Sequence, residues 1–449
     1  MKIGTIRWLW LVGIISLYPT VVWADTEYYR HTIFDNSLTS DAYFYTSAIA
    51  NGSSFIEQSN SRLPVETKNF LTPPNALRIN WRSERDGGWE AEVRVVNFRN
   101  RFPEFSGHNL YFWCFAPQPI AAADLPSIVL STSREGLQVA EFPASFTEPL
   151  PMGKVVGDVP TRRWIQVRIP LNEFHSASIY EFRPLDLQNV VFHQGRADGT
   201  QHTLILDEFR IDDDSHAGSP LPIPQNVHAT GYDRHVEVSW NPITDPALAR
   251  YVIYRSLEGK NFEQIGIQIP GNNRYTDFLG KSGVTATYKV TASDKQYRQS
   301  ELSSAATAST RVFNDDELLT MLQEACFHYY WDGADRSSGM THENIPGDDR
   351  IVATGASGLG IAALVVGVDR GFVTRAQGIE RLTRIVNFLE HAQRYHGAWS
   401  HFMNGSNGKT MPVFGMFDNG GDLGTVPLQA YFAALGNGRV VLVSHQPKE

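Results

Sequence analysis

The spacing of apolar residues changes once along this chain, and that change limits the fold more than any other feature. Up to about residue 310 apolar side chains alternate with polar ones in short runs, and from Phe313 they recur every third or fourth position. The first pattern belongs to strands buried on one side, the second to amphipathic helices, so the chain divides into a sheet region followed by a helical one. A multidomain chain is expected. The length agrees, because 449 residues exceed what one core of about 100–200 residues supports.

From Thr26 to Asp214 the alternating runs are Ala76–Trp81, Trp89–Val95, Asn109–Phe115, Trp164–Ile169 and Thr203–Ile211, separated by Gly, Pro, Asn and Asp clusters. That arrangement predicts an antiparallel β-sandwich over 25–215. The strand and turn from Trp164 to Phe174, with a closing Leu206–Ile211, resemble jelly-roll modules of the galactose-binding or carbohydrate-binding kind. Trp81, Arg82, Trp89 and Tyr111 could form a sugar-binding face, although such regular alternation sends about two of the three aromatics into the core. Asp207, Asp212 and Asp213 could hold a structural calcium, a feature of the resembled modules, but no loop has calcium-ligand spacing. No other cofactor is expected.

Ser219-Pro-Leu-Pro-Ile-Pro224 interrupts the pattern, since proline removes backbone donors and fixes an extended chain. It reads as a linker over 216–221. Beyond it Val236–Pro242, Tyr251–Arg255 and Thr287–Asp294 resemble a fibronectin type III β-sandwich covering 222–312. In that family Trp240 is the core tryptophan and Tyr288 helps close the Greek key. Both roles are structural, and a spacer is the expected task.

Asn314 then stands three residues before Glu317, the spacing of a capping box, and Leu318, Leu319, Leu322, Ala325, Cys326, Tyr329 and Tyr330 follow on one face. Leu359–Val368 is apolar all round and predicts a buried helix. A third helix starts at Thr374, capped toward Gln377, runs through Ile379, Leu382, Ile385, Val386 and Leu389, and stops near Gly397. Repeated helices with one fully buried member suggest the two rings of an α/α toroid.

The loops between these helices are dense in polar and aromatic residues: Tyr330–Gly333, Ser338–Glu343, Trp399–Phe402 and Phe417–Leu423. Indole faces beside carboxylates suit sugar chemistry, because pyranose C–H faces stack on rings while carboxylates bond hydroxyls or move protons. Phe327–Ala334, Ser338–Met340, Thr354–Ile361, Val368–Phe372, Arg381-Leu382, Phe388-Leu389, His396–Trp399 and Asp418–Leu423 together resemble the glucoamylase-like domain of bacterial endo-β-1,2-glucanases and cyclic β-1,2-glucan synthases. The resemblance covers about residues 314 to 423. It implies part of an all-α (α/α)6 toroid and inverting hydrolysis of β-1,2-glucan. Asp418 and Asp422 match positions associated with activity, their other reading being helix N-caps. Trp331 and Trp399 could be sugar platforms or core, Asp332 and Glu343 hydroxyl ligands or solvated loop acids, and His401 completes the substrate-binding set. His342, His396 and His401 lack metal-ligand spacing on one helix face, so no zinc site is expected. Thr354–Gly360 lacks the Gly-Lys-Ser/Thr of a phosphate loop, and its glycines read as close helix packing.

Two features depart from the family pattern. After Leu423 come Gly424-Thr425-Val426-Pro427, without the expected Glu after Asp422, and Pro427 would break the expected helix. Twelve helices of about 12 residues with connections of about 5 need near 200 residues, whereas 137 run from Phe313 to Glu449. The expectation is therefore a truncated, inactive form, with a frameshift or premature stop near codon 424, a toroid fragment over 313–423 and an unrelated tail over 424–449.

Lys2 and Arg7, the apolar run Trp8–Leu17 and Val22-Trp23-Ala24 form a secretory leader over residues 1–24, too short to span a bilayer, which needs about 20 apolar residues. A periplasmic or extracellular monomer is expected. A net charge of −9 argues against nucleic acid as partner. The partner expected is a β-glucan, either hydrolysed or, in the alternative reading, only bound by a carbohydrate-binding or adhesive protein. Cys114 and Cys326 stand far apart and predict no disulfide.

Overall fold

The computed structural model describes residues 31–34, 45–95, 105, 107–132, 145–177, 182–213, 219–345, 348–395 and 397–411, and the backbone of 429–435 and 439–444. The leader and the stretch Asp418–Leu423 lie outside these residues.

The first unit contains β1 (Thr32–Phe34), β2 (Thr46–Asn51), β3 (Phe55–Ile56), β4 (Val65–Glu66), β5 (Ala76–Arg82), β6 (Gly88–Arg94), β7 (Asn109–Phe115), β8 (Ser127–Ser131), β9 (Leu150–Pro151), β10 (Ile165–Pro170), β11 (Asn189–His193) and β12 (Gln201–Asp212). They form an antiparallel sheet ordered β10-β7-β12-β5-β3, with β1 on β12 and β4 on β5, facing a second sheet ordered β2-β6-β11-β8-β9. Alternation sorts the residues between core and surface: Leu77, Ile79 and Trp81 of β5 and Trp89, Ala91 and Val93 of β6 are buried, while the residues between them are not. Phe112 stacks on Phe209 at 5.0 Å and meets Phe192 edge-on at 5.9 Å, so both sheets contribute to one core. β12 carries a bulge between Asp207 and Arg210, where Glu208 adopts φ 56°.

The second unit packs a three-stranded sheet, β13 (His228–Gly231), β14 (His235–Ser239) and β17 (Arg274–Phe278), on a four-stranded one, β15 (Leu248–Ser256), β16 (Glu263–Gln268), β18 (Thr285–Asp294) and β19 (Ala306–Ser309). Trp240 lies edge-on to Tyr251 at 5.1 Å in its core. The buried Tyr288 hydroxyl donates to Asp277 Oδ2 at 2.8 Å, which satisfies a polar atom that burial would otherwise penalise. Leu221 is already part of this core, so the proline-rich stretch enters the second unit rather than hanging free before it.

The third unit holds α1 (Asp315–Trp331), α2 (Thr354–Asp369) and α3 (Arg375–His391). Asn314 with Glu317 and Thr374 with Gln377 close full capping boxes on α1 and α3. The expected partial (α/α)6 toroid is not what the chain forms. Among the described residues most of the regular structure is sheet. Among the described residues of the helical third, short antiparallel pairs join the helices: β20 (Ile351–Ala353) with β23 (Phe402–Asn404), β21 (Arg394–Tyr395) with β22 (Ala398–Trp399), and β24 (Gln429–Leu435) with β25 (Arg439–Ser444). The physical reason lies in burial. α2 was expected to be buried all round, but only Thr354, Ser357, Ile361, Leu364 and Gly367 are, and Leu359 and Val365 are about two-thirds exposed. α1 buries Phe327 rather than the Leu318, Leu319 and Leu322 face. α3 ends at His391, short of Gly397, because Arg394 Nη2 and the Trp399 indole N–H both donate to the Leu389 carbonyl, at 2.8 and 3.0 Å.

Candidate functional site

A small cleft opens among the three helices, lined by Phe327, Tyr330 and Trp331 of α1, Gly360 of α2, Arg381 of α3 and Thr341. Local chemistry assembles it. Asp335 Oδ1 accepts from the Ser338 backbone N–H and hydroxyl, both at 2.7 Å, which folds a tight turn that Gly339 completes at φ 75°. Thr341 then donates its N–H to Ser357 Oγ at 2.9 Å, fastening this segment to α2. A Cβ on Gly360 would stand 2.6 Å from Thr341 Oγ1, so that glycine sets how closely the two approach. Arg381 lies over the Trp331 ring at 4.4 Å and donates from Nη2 to the Trp331 carbonyl at 3.1 Å. A cation at the carboxyl end of α1 satisfies its last carbonyls and its dipole. Burial pulls the Arg381 guanidinium below the usual arginine value, and the nearby Arg384 does so further.

Of the expected substrate-binding residues, this cleft takes only Trp331. Asp332 turns to the second unit, its Oδ2 standing 3.2 Å from Arg274 Nε, and lies 2.8 Å from Nδ1 of His328 in α1. Glu343 is exposed, and its carbonyl accepts from the Tyr329 hydroxyl at 3.4 Å. Trp399 braces the end of α3, with Arg394 over its ring at 5.0 Å. His401 stacks on Phe402 at 4.1 Å and its carbonyl receives the Thr354 N–H at 2.9 Å; burial pulls its imidazole below the usual histidine value. The catalytic candidates Asp418 and Asp422 lie outside the described residues, as does His396.

Tyr330 and Thr341 fall in the loops Tyr330–Gly333 and Ser338–Glu343 singled out for sugar chemistry, whereas Arg381 was not expected at a site. One signal for Arg381 is present in the sequence, because it falls at helical spacing between Gly378 and Ile385, both buried, where a charge is unusual.

The first unit differs from its expected roles. Trp81, Trp89 and Tyr111 are all buried, not two of three, so none of them offers a ring to sugar; Trp81 packs on Trp89 at 5.5 Å and Tyr111 lies beneath Arg210 at 5.5 Å. Arg82 pairs with Glu84 at 3.1 Å. The three calcium candidates are dispersed: Asp207 accepts the backbone N–H groups of Leu71, Thr72 and Glu208, Asp212 stands 3.8 Å from Lys295, and Asp213 bonds His108. Among the described residues the group with metal-ligand spacing is instead Asp124, Asp198 and His202, whose atoms lie within 4.8 Å. There His202 Nε2 bonds Asp198 Oδ2 at 2.8 Å and Arg196 pairs with Asp124, so protein partners already occupy these carboxylates.

The chain is 37% identical over 396 residues to the exo beta-1,2-glucooligosaccharide sophorohydrolase (non-reducing end) of Parabacteroides distasonis, a match covering 88% of this chain and 54% of that protein. A crystal structure of beta-1,2-glucanase from Parabacteroides distasonis superposes with a TM-score of 0.76 at 36% identity, covering 87% of this chain and 55% of that one. The chain thus spans about half the length of these relatives. An endo-beta-1,2-glucanase from Chitinophaga pinensis, crystallised with sophorotriose and glucose, is 46% identical over 25% of this chain and 28% of its own, with a TM-score of 0.23. No protein-family model matches the chain. Among the described residues no helix is long and apolar enough to cross a membrane.

Proposed function

We propose that this chain acts in the hydrolysis of β-1,2-linked glucans. The observation that carries the reading is the homology over 396 residues, which runs through both sandwiches and the helices rather than through one module. The expectation of an inactive product has no support in that homology, so hydrolysis is the reading put to test. The mechanism that fits is inverting: one carboxylic acid protonates the leaving oxygen while a second carboxylate activates water, the pair about 6.5 to 9.5 Å apart. Asp418 and Asp422 are the candidates for this pair. The two sandwiches read as a jelly roll of the carbohydrate-binding kind and a fibronectin type III unit, and the leader over residues 1–24 as an export signal whose removal leaves Asp25 first.

Incubating the purified protein with linear β-1,2-glucooligosaccharides tests the reading. Release of shorter oligosaccharides, lost in Asp418→Asn or Asp422→Asn, is the expected result. Retention of glycan without release would favour the binding protein instead, and neither release nor retention would sink the proposal. Amino-terminal sequencing of the secreted form checks the leader.

A further inference from the structure

Charge is buried where the two sandwiches meet. Arg250 of β15 is 1% exposed, and its Nη1 donates to Glu208 Oε1 of β12 at 2.9 Å. That carboxylate also accepts the Thr72 hydroxyl at 2.8 Å and, at Oε2, the Tyr297 hydroxyl at 2.8 Å. The Tyr297 ring lies 4.4 Å from the Arg250 guanidinium and 5.7 Å from that of Arg210, and it meets Trp113 of the first sandwich edge-on at 5.1 Å. Arg210 Nη2 donates to the Lys295 carbonyl at 2.6 Å. Burial, and then the adjacent Glu208 carboxylate, push the Tyr297 hydroxyl far above the usual tyrosine value, so it stays a donor. Glu208 sits in the β12 bulge at φ 56°. A buried ion pair of this kind adds little net stability, yet breaking one partner leaves an uncompensated charge, so it selects one docking register and penalises others.

The three-stranded sheet of the second sandwich is fastened to the helices. Arg274 contacts Glu237 and lies 3.2 Å from Asp332, while the Tyr232 hydroxyl donates to Glu324 Oε2 of α1 at 2.9 Å and its ring packs on Phe313. Arg336 Nη2 donates to the Pro270 carbonyl at 3.4 Å. The likeness to the Parabacteroides crystal structure, one superposition over 87% of this chain, is an independent sign that the three units keep one arrangement.

We infer that the second sandwich is a rigid strut, not a flexible spacer: the Glu208–Arg250–Tyr297 latch on one side and the Arg274–Asp332 and Tyr232–Glu324 contacts on the other hold the first sandwich at a fixed position relative to the helical cleft. The stretch before Pro224 reads as a linker, and domains joined in that way are by default free to move relative to one another.

Pulsed electron spin resonance on the full chain tests this. One nitroxide goes on the native, exposed Cys326 of α1 and the other on Arg85→Cys, an exposed position of the first sandwich; the buried Cys114 stays unlabelled. The wild type is expected to give a single narrow distance distribution, and Arg250→Met at least a twofold broader one. Tyr297→Phe keeps the ring and removes only the hydroxyl, so it should broaden the distribution to a lesser degree and decides the matter if Arg250→Met does not fold. A wild-type distribution as broad as that of the variants would overturn the inference. So would variants that melt earlier with the distribution unchanged, since that is what a merely local packing role produces.

Discussion

Asp207 and Arg381 are the residues where composition misled and geometry decided. Asp207 looked like a metal ligand, yet three backbone N–H groups occupy its carboxylate; Arg381 carried no assigned role, yet it caps α1 inside the cleft. Burial settles the two thiols as well. Desolvation pushes Cys114 up to about 12, whereas Cys326 is exposed. Titration with a chromogenic disulfide at pH 8 should consume one thiol in the native protein and two in denaturant; two fast thiols in the native protein would refute the burial. A pH dependence follows from Glu57 and Glu66. Burial alone would raise both carboxyls, but hydrogen bonds to Glu57 from Arg78 and Asn80, and to Glu66 from the Lys68 and Asn69 backbone and Arg78, hold them below the usual value. Depressed carboxyls contribute stability above the usual glutamate range near pH 4.5 and lose it as pH falls through the depressed folded values. Thermal melts should therefore show Arg78→Met lowering the midpoint at pH 7, with the gap from wild type narrowing by pH 3. An equal gap at both pH values would count against it.

At the level of elements, what the sequence showed best was what neighbours along the chain decide. β7 was expected at Asn109–Phe115 and lies there, and both capping boxes form as their spacing implies. Each such cap is worth about 1 kcal/mol. The β12 bulge and the short β-pairs among the helices were not legible, because they depend on partners far away in sequence. Close approach between elements leaves its mark in glycine. A Cβ on Gly367 would stand 2.3 Å from the Phe327 ring, so Gly367→Ala is expected to cost about 1–3 kcal/mol by overpacking, although alanine favours an isolated helix. Urea unfolding measures it, and a stabilised variant would show that α1 and α2 can separate without penalty.

The whole molecule joins two sandwiches and a helical unit whose outer surfaces are unusually apolar. Leu319, Leu322, Leu359, Val365 and Ile379 are each more than half exposed, and exposed apolar surface of this sort binds hydrophobic dyes. Enhanced fluorescence of anilinonaphthalene sulfonate is expected with the native chain, reduced in Leu322→Lys with Val365→Lys while the melting midpoint stays unchanged; equal fluorescence in both would mean these faces are covered. Taken by itself, the sequence determined strand alternation, helix periods, caps and the family resemblance, since each is written in residues within a few positions of one another. Only the tertiary structure decided which faces are covered, which aromatics are lost to the core, and that Glu208 meets Arg250 across a separation of 42 residues. Such contacts depend on the balance of desolvation and pairing between distant segments, and no local pattern records that balance.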